Sequence, residues 1–104
     1  MELVFAAVAD PTRRVLLERL RASGPLSISE LSDGLPMTRQ AVTKHLAVLR
    51  DSGLIRARRA GRERLHELDA GPLREVDDWL RPYAEAWDDR LAALRRHLRE
   101  EIEG

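Results

Sequence analysis

The stretch MTRQAVTKHLAVLRDSGLIRARRAGRERLHEL, residues 37–68, decides the fold of this 104-residue chain. Its first half repeats apolar residues at helical spacing and ends at Gly53, a residue that tolerates the left-handed backbone of a helix stop. Its second half has two short runs, residues 55–59 and 64–68, on either side of a turn at residues 60–63. The stretch therefore predicts a helix followed by a β-hairpin, whose strand register the imperfect alternation leaves open.

Positive charge is concentrated in this stretch, although the net charge of the whole chain is 0. Residues 38–66 contain eight cations and two anions, a net charge of +6, whereas residues 67–104 contain six cations and eleven anions, a net charge of −5. All cations except Lys44 are arginine, a bias that a GC-rich genome also produces, so the placement of the arginines is more informative than their number. The asymmetry predicts a polyanion-binding surface and, facing away from it, a surface for a partner.

Helix signals divide the part of the chain before residue 37. Asp10 followed by Pro11 is typical of a helix start, and Ser27 with Glu30 has capping-box spacing. We expect helices over residues 3–9 and 11–22, a short third helix that begins after Ser27 and is closed by Gly34 and Pro36, and a fourth helix that begins after Thr38 and reaches about residue 52. The side chains predicted to be buried in these helices are Val15, Leu16, Leu20, Ile28, Leu31, Leu35, Ala41, Val42, Leu46 and Leu49.

The C-terminal part has an apolar stripe at heptad-like spacing on both sides of Trp87. Pro82 is expected to divide this region into two helices or to kink it. One interpretation of the stripe is packing within its own domain. The interpretation that we favour is a contact with a second copy of the chain, made by Leu3, Val4, Phe5, Trp87, Leu91, Leu94 and Leu98.

Two helices joined by a tight turn, the second of them polar on one side, form a helix-turn-helix motif. Such a motif places the first residues of its second helix against base edges in the major groove of DNA. The candidate residues here are Thr38, Arg39, Gln40, Thr43 and Lys44, and residues 38–50 contain no acidic side chain. Arginine pairs with guanine and glutamine with adenine through two hydrogen bonds each. Lys44, one turn further on, is placed for a phosphate.

The hairpin is interpreted as a wing that holds the DNA backbone or a narrow minor groove. Its candidate residues are Arg58, Arg59, Arg62 and Arg64. The predicted fold is thus mainly α with a small β-hairpin, a single winged helix-turn-helix domain over residues 1–104 in the order α-α-α-α-β-β-α-α. The helix-turn-helix covers residues 27–52, the wing residues 54–68, and dimerisation helices residues 1–9 and 70–102.

This order of elements resembles the ArsR-type winged-helix repressors of bacteria. The resemblance spans nearly the whole chain, and it rests on the segments FAAVADPTRRVLLERL, SISELSDGL, TRQAVTKHLAVLRDSGLI and RAGRERLHEL. It implies a homodimer built from the first and last helices that binds an imperfect inverted repeat near its own promoter and blocks transcription. The five candidate residues of the fourth helix match the family's recognition positions, and Arg62 matches the wing tip.

The chain departs from the metal-sensing members of that family. They have a cysteine pair in the third helix, and this chain has no cysteine at all. His97 and Glu100 have the spacing of another metal site of the family, but Ala84 and Ala86 stand where further ligands are expected. We therefore predict no metal and no cofactor, and interpret His45 and His66 as structural. A metal- or small-ligand-responsive sensor of the same fold remains an alternative, with its effector unknown.

Other classes of function have less support. No glycine-rich phosphate loop, G-x-S-x-G or H-E-x-x-H motif is present, so we predict that the protein is not an enzyme. No apolar run approaches the length of a membrane span, and the lack of cysteine fits a reducing cytoplasm. A winged-helix protein-interaction module is the remaining alternative, and it would be expected to have an acidic or apolar fourth helix.

Overall fold

The fold is a small helical assembly with a three-stranded sheet, seen in a computed structural model that describes residues 1–103, with side chains described through residue 101. The elements in chain order are α1 (Glu2–Val8), α2 (Pro11–Ser23), β1 (Leu26–Ser27), α3 (Ile28–Ser32), α4 (Arg39–Asp51), β2 (Ile55–Ala60), β3 (Glu63–Leu68) and α5 (Gly71–Glu103). The chain divides into two compact units, residues 1–74 and the residues from 75 onward. The first unit contains the helix-turn-helix, α3 and α4, and the wing, β2 and β3.

The helices begin where the sequence predicts. The Asp10 carboxylate accepts hydrogen bonds from the backbone N–H groups of Thr12 and Arg13, at 2.8 and 3.1 Å. Ser27 and Glu30 form a reciprocal capping box at α3. Each cap satisfies N–H groups that have no partner inside the helix, so these starts are determined locally.

One apolar core occupies the first unit. Its fully buried members come from all four helices of this unit and the segment after α4, and they include Leu16, Leu31, Val42, Leu49 and Leu54. The prediction that Val15 is buried is wrong, since 42% of it is exposed. Val15 is the immediate neighbour of Leu16 in α2, and adjacent helical residues point about 100° apart.

A glycine stop joins α4 to the hairpin as predicted. Gly53 has φ 81°, and the N–H of Leu54 donates to the carbonyl of Leu49 at 3.1 Å. The N–H of Asp69 donates to the carbonyl of Leu54 at 2.8 Å, so the chain leaves the hairpin beside the point where it entered. Both ends of the wing are therefore fixed to the end of α4.

The sheet has the antiparallel order β1-β3-β2. β2 and β3 pair from Ile55 with Leu68 to Ala60 with Glu63, which extends each predicted strand by one residue and leaves a two-residue turn. Gly61 occupies the first turn position with φ 64°, a conformation that favours glycine. The two-residue strand β1, which pairs with β3, was not predicted because it is too short for a periodic signal.

The second unit consists of helix α5 from residue 75 onward. The prediction of two C-terminal helices is wrong, because α5 runs through Pro82 as one helix of 33 residues. Proline removes one backbone donor, but a long helix keeps its other hydrogen bonds, and Arg81 donates to Asp77 across the same turn at 3.0 Å. Among the described residues, no helix is both long enough and apolar enough to cross a membrane.

The core assignment of α4 can be tested by a matched pair of substitutions. Leu49 has no exposed surface, whereas its neighbour Val48 is 38% exposed. Leu49→Ala is expected to lower the free energy of unfolding by about 2–5 kcal/mol, because it leaves a cavity. Val48→Ala is expected to lower it by less than about 1 kcal/mol. Urea unfolding followed by circular dichroism measures both, and equal losses would place the core elsewhere.

Candidate nucleic-acid interface

The start of α4 presents a row of exposed polar side chains. Thr38 is the N-cap, and its Oγ1 accepts a hydrogen bond from the N–H of Ala41 at 3.1 Å. The other sequence-predicted residues of this helix, Arg39, Gln40, Thr43 and Lys44, are all exposed. Since Val42, Leu46 and Leu49 occupy the core, the structure places all five candidates away from the core side of α4.

Two of these side chains are held in place by local hydrogen bonds. The Nη2 of Arg39 donates to the Ser29 hydroxyl at 2.6 Å, and the Thr43 hydroxyl donates to the carbonyl of Arg39 at 2.8 Å. Gln40 and Lys44 have no side-chain hydrogen bond or ion pair within the described part of the chain. Arg39 is thus pre-positioned, while Gln40 and Lys44 keep all their polar atoms for another molecule.

The wing arginines surround one surface depression. It has a volume of about 290 Å³ and is lined by Ala57, Arg58, Arg59, Arg62 and Arg64. Arg59 and Arg64 are direct cross-strand partners, a like-charge arrangement that destabilises a hairpin. A bound anion would reverse that repulsion, so the wing favours a negatively charged ligand.

Arg58 differs from the other wing arginines. Its Nε lies 3.5 Å from a carboxylate oxygen of Glu67, and Arg56 lies 3.9 Å from Glu67 and from Asp69. Arg59, Arg62 and Arg64 have no such ion pair among the described residues. The charge of Arg58 is therefore partly neutralised inside the protein, a difference that the sequence does not indicate.

A cleft connects the two groups of candidates. It has a volume of about 390 Å³ and lies between the start of α3, the middle and end of α4, and strand β3. Thr43 borders it on the helix side and Arg64 on the wing side. The helix and wing candidates therefore belong to one continuous surface of the first unit.

Sequence reasoning missed the importance of Arg50 and His66 in this cleft. His66 is only 6% exposed, and its Nδ1 is buried without a hydrogen-bond partner within the described residues. Burial lowers the pKa of His66 below its usual value of 6.5, and the nearby charges of Arg64 and Arg50 lower it further.

His45 matches its structural interpretation. It is partly buried on α4, with its Nδ1 3.4 Å from a guanidinium nitrogen of Arg13 and 4.0 Å from the Asp10 carboxylate. The Asp10 side chain also caps α2, and hydrogen bonds from the backbone of Arg13 and Thr12 help to hold the pKa of its carboxyl below the usual value. His45 thus links α4 to the start of α2.

The side chains predicted to contact a second copy lie in different surroundings. On α1, Leu3 is 64% and Phe5 40% exposed, whereas Val4 is packed in the core of its own unit. On α5, Trp87, Leu94 and Leu98 are each about half exposed, and Leu91 is partly buried. Trp79, Leu80 and Tyr83 extend this exposed apolar surface toward the start of the helix.

No cluster of three or more possible metal ligands exists among the described residues. The Nε2 of His97 lies 3.2 Å from a carboxylate oxygen of Glu101, one helical turn along, and not beside Glu100. The histidine that the spacing had suggested as a metal ligand therefore contacts an exposed carboxylate of its own helix.

Comparisons with known proteins agree with this geometry. Residues 8–58 match the helix-turn-helix domain family. The HTH-type transcriptional regulator Rv2034 of Mycobacterium tuberculosis is 49% identical over 65 residues, which span 62% of this chain and 60% of that protein. A solved ArsR family transcriptional regulator is 39% identical, with a TM-score of 0.74, covering 84% of this chain and 89% of the other. An ArsR-like transcriptional regulator from Rhodococcus sp. RHA1 is 36% identical, with a TM-score of 0.71 over 91% and 89% of the two chains.

The buried histidine predicts a specific dependence of stability on pH. As pH falls through about 6.5, the unfolded chain protonates His66 before the folded protein does, so the free energy of unfolding falls. His66→Phe removes this contribution and keeps a planar ring. When the pH is lowered from about 7.5 to about 5, we expect the free energy of unfolding of the variant to rise relative to that of the parent. The other titrating groups are the same in both proteins, so their effects cancel. Urea unfolding at each pH measures the difference, and a constant difference would contradict the assignment.

Proposed function

Since the chain belongs to the ArsR family of transcriptional regulators, we propose that it is a homodimeric repressor that binds an inverted-repeat operator in double-stranded DNA, in the cytoplasm. One observation supports this most strongly: the polar face of α4 and the arginine wing border the same cleft. A recognition helix and a wing on one surface have the geometry of winged helix-turn-helix DNA binding.

In this proposal the start of α4 reads bases. The hydrogen bond from Arg39 to Ser29 restricts the guanidinium before DNA arrives, which reduces the entropy lost when it pairs with guanine. Gln40 is exposed and is suited to adenine. Thr38 and Thr43 already bond to the helix backbone, so their roles are the cap and a methyl or phosphate contact. Lys44 takes a phosphate.

The wing holds the DNA backbone. Arg59, Arg62 and Arg64 surround one depression and form no ion pair with any described residue, and a phosphate placed there relieves their mutual repulsion. Arg58 must give up its ion pair with Glu67 before it serves DNA fully, so it contributes less. The contribution of the wing to DNA affinity is insensitive to the DNA sequence and strongly dependent on salt concentration.

Dimerisation makes the binding specific. Two tryptophans, a tyrosine and three leucines along α5 are about half exposed. An exposed apolar surface of this extent is unusual for a small monomer and is typical of a face that a partner covers. In the proposed homodimer Trp87, Leu91, Leu94 and Leu98 pair along a heptad seam, and Leu3 and Phe5 of α1 contribute further apolar surface. Two-fold symmetry then places two recognition helices about one DNA turn, ~34–36 Å, apart.

The DNA-binding roles can be tested on purified protein. Selection from random duplexes is expected to return a palindrome. Arg62→Ala should weaken binding similarly for every DNA sequence and lower the magnitude of the slope of log affinity against log salt by about 1. Arg39→Ala should reduce the free energy of binding to the selected site by about 1–3 kcal/mol and relax specificity at one base. Fluorescence anisotropy at several salt concentrations measures both.

Arg56→Ala is the matched control, because Arg56 is a wing arginine outside the depression and beside two carboxylates. It is expected to leave the salt slope nearly unchanged. Sequence-blind selection, or equal losses for all three variants on all sequences, would overturn the assignment of these roles.

If the apolar stripe of α5 forms the homodimer contact, a charge at Leu94 is expected to break the homodimer. Leu94→Glu places a carboxylate in the proposed contact, and light scattering is expected to show half the mass of the parent protein. Ala93→Glu introduces the same side chain at an adjacent exposed position outside the heptad stripe, so its mass should stay dimeric. A Leu94→Glu variant with the parent's mass would mean that the stripe has another use.

A further inference from the structure

The cleft between α4 and the wing has the features of a ligand site. Its volume of about 390 Å³ lies in the range of small-molecule pockets, roughly 300–1,000 Å³. The lining residues are Ser27, Ile28, Ser29, Thr43, Leu46, Arg50, Glu63, Arg64 and His66. They combine an aliphatic wall, several hydroxyls and a cationic end, which is the mixed chemistry of a site for a small polar molecule with an apolar body.

The cationic end is not neutralised by the protein. In the described part of the chain, no carboxylate oxygen lies within 4.0 Å of the guanidinium of Arg50 or of Arg64. Glu63 also lines the cleft, but it forms no ion pair with either arginine. Two unpaired guanidinium groups beside one carboxylate leave a net positive charge for an anion to meet.

His66 supplies the observation that points to a ligand. Its side chain is more than nine-tenths buried and lines the cleft, yet its Nδ1 has no partner within the described residues. A buried polar nitrogen without a hydrogen bond destabilises the fold. Nδ1 has less than 1 Å² of accessible surface, so an acceptor in the cleft reaches it only when the imidazole ring turns over, and that contact removes the penalty. Arg50, Arg64 and His66 all line the cleft, so the three groups border one space.

From these contacts we propose that the cleft binds a small organic carboxylate with an apolar body. The carboxylate lies between Arg50 and Arg64 and accepts a hydrogen bond from the His66 ring. The apolar body packs against Ile28 and Leu46. Inorganic anions provide the charge but nothing for the aliphatic wall, so they bind more weakly.

The proposed site has a consequence that rests on the proposed DNA-binding function. Thr43 and Arg64 line the cleft and also belong to the surface assigned to DNA. A bound carboxylate neutralises part of the wing charge and places an anion beside the approaching phosphates. It therefore weakens DNA binding, and DNA weakens carboxylate binding by the same factor.

The first test uses the 104-residue chain in the absence of DNA, with benzoate as the probe. Benzoate is titrated to about 10 mM, tenfold above a millimolar Kd. Nuclear magnetic resonance is expected to show saturable shifts of the Ile28 and Leu46 methyl groups and of the His66 ring, which the His66→Phe variant identifies. No saturable shift would overturn the proposal, as would inorganic phosphate shifting the same signals when benzoate does not.

Matched variants test the contacts. Arg50→Gln removes a lining charge from an exposed position and is expected to weaken benzoate binding about tenfold. Arg56→Gln removes an equal charge outside the cleft and should change the Kd less than about twofold. His66→Phe, which tests the buried nitrogen, should also weaken binding. Equal effects of Arg50→Gln and Arg56→Gln would mean that benzoate senses only net charge, and the site would be rejected.

The last arm measures the effect on DNA. At constant ionic strength, benzoate is expected to weaken operator binding by the parent protein and by Arg56→Gln, but much less by Arg50→Gln. If the protein bound no specific DNA, the benzoate titration would still decide the site on its own. If benzoate bound at these residues and left operator affinity unchanged, the coupling to DNA would be wrong.

Discussion

The burial of one face of α4 is the constraint on which the rest of the first unit depends. Val42, Leu46 and Leu49 are at most 3% exposed, and the helix packs against α1, α2, α3 and β2. With 3.6 residues per turn, fixing these three positions also fixes where every other side chain of the helix points. The buried face therefore sets the direction in which the polar residues at the start of α4 are displayed, and the local hydrogen bonds of Thr38, Arg39 and Thr43 add to it.

The arginines show why placement matters more than composition. Arg13 donates to the carbonyls of Ala7 and Ala6 at 2.7 and 2.9 Å, and Arg19 donates to the carbonyl of Leu31 at 2.9 Å. These arginines add hydrogen bonds to carbonyls in the last turns of α1 and α3, where backbone donors within the helix run out. Their acceptors are backbone atoms 6 to 12 residues away, which no side-chain pattern in the sequence records.

Features set by neighbouring residues could be predicted from the sequence, and those set by distant contacts could not. The caps at Asp10, Ser27 and Thr38 and the stop at Gly53 depend on a few adjacent residues, and all four are confirmed. Strand β1 exists only because β3 lies beside it. The continuity of α5 through proline depends on a whole long helix outweighing one lost bond.

The candidate site also has some features that local sequence determines and others that depend on distant contacts. Its residue types were evident from the sequence, because exposed polar positions follow from helical spacing. The tether between Arg39 and Ser29, and the pairing of Arg58 with Glu67, depend on contacts between separate elements. The orphaned Nδ1 of His66 is likewise visible only once β3 takes the centre of the sheet, where His66 pairs with Leu26 on one side and Ala57 on the other. The sequence therefore indicates which residues are available, and the tertiary contacts decide which of them are free.

The wing tolerates unfavourable interactions because its ends are anchored. Arg59 lies opposite Arg64, and the adjacent pair on the same face of the sheet contains the buried, unpartnered His66. An isolated hairpin with these features would be unstable. Here Leu54 and Ile55 are buried at one end, and the N–H of Asp69 closes that end onto Leu54. Stability is supplied where the wing joins α4, so the wing's charges are left to serve an anion that the folded chain does not itself provide.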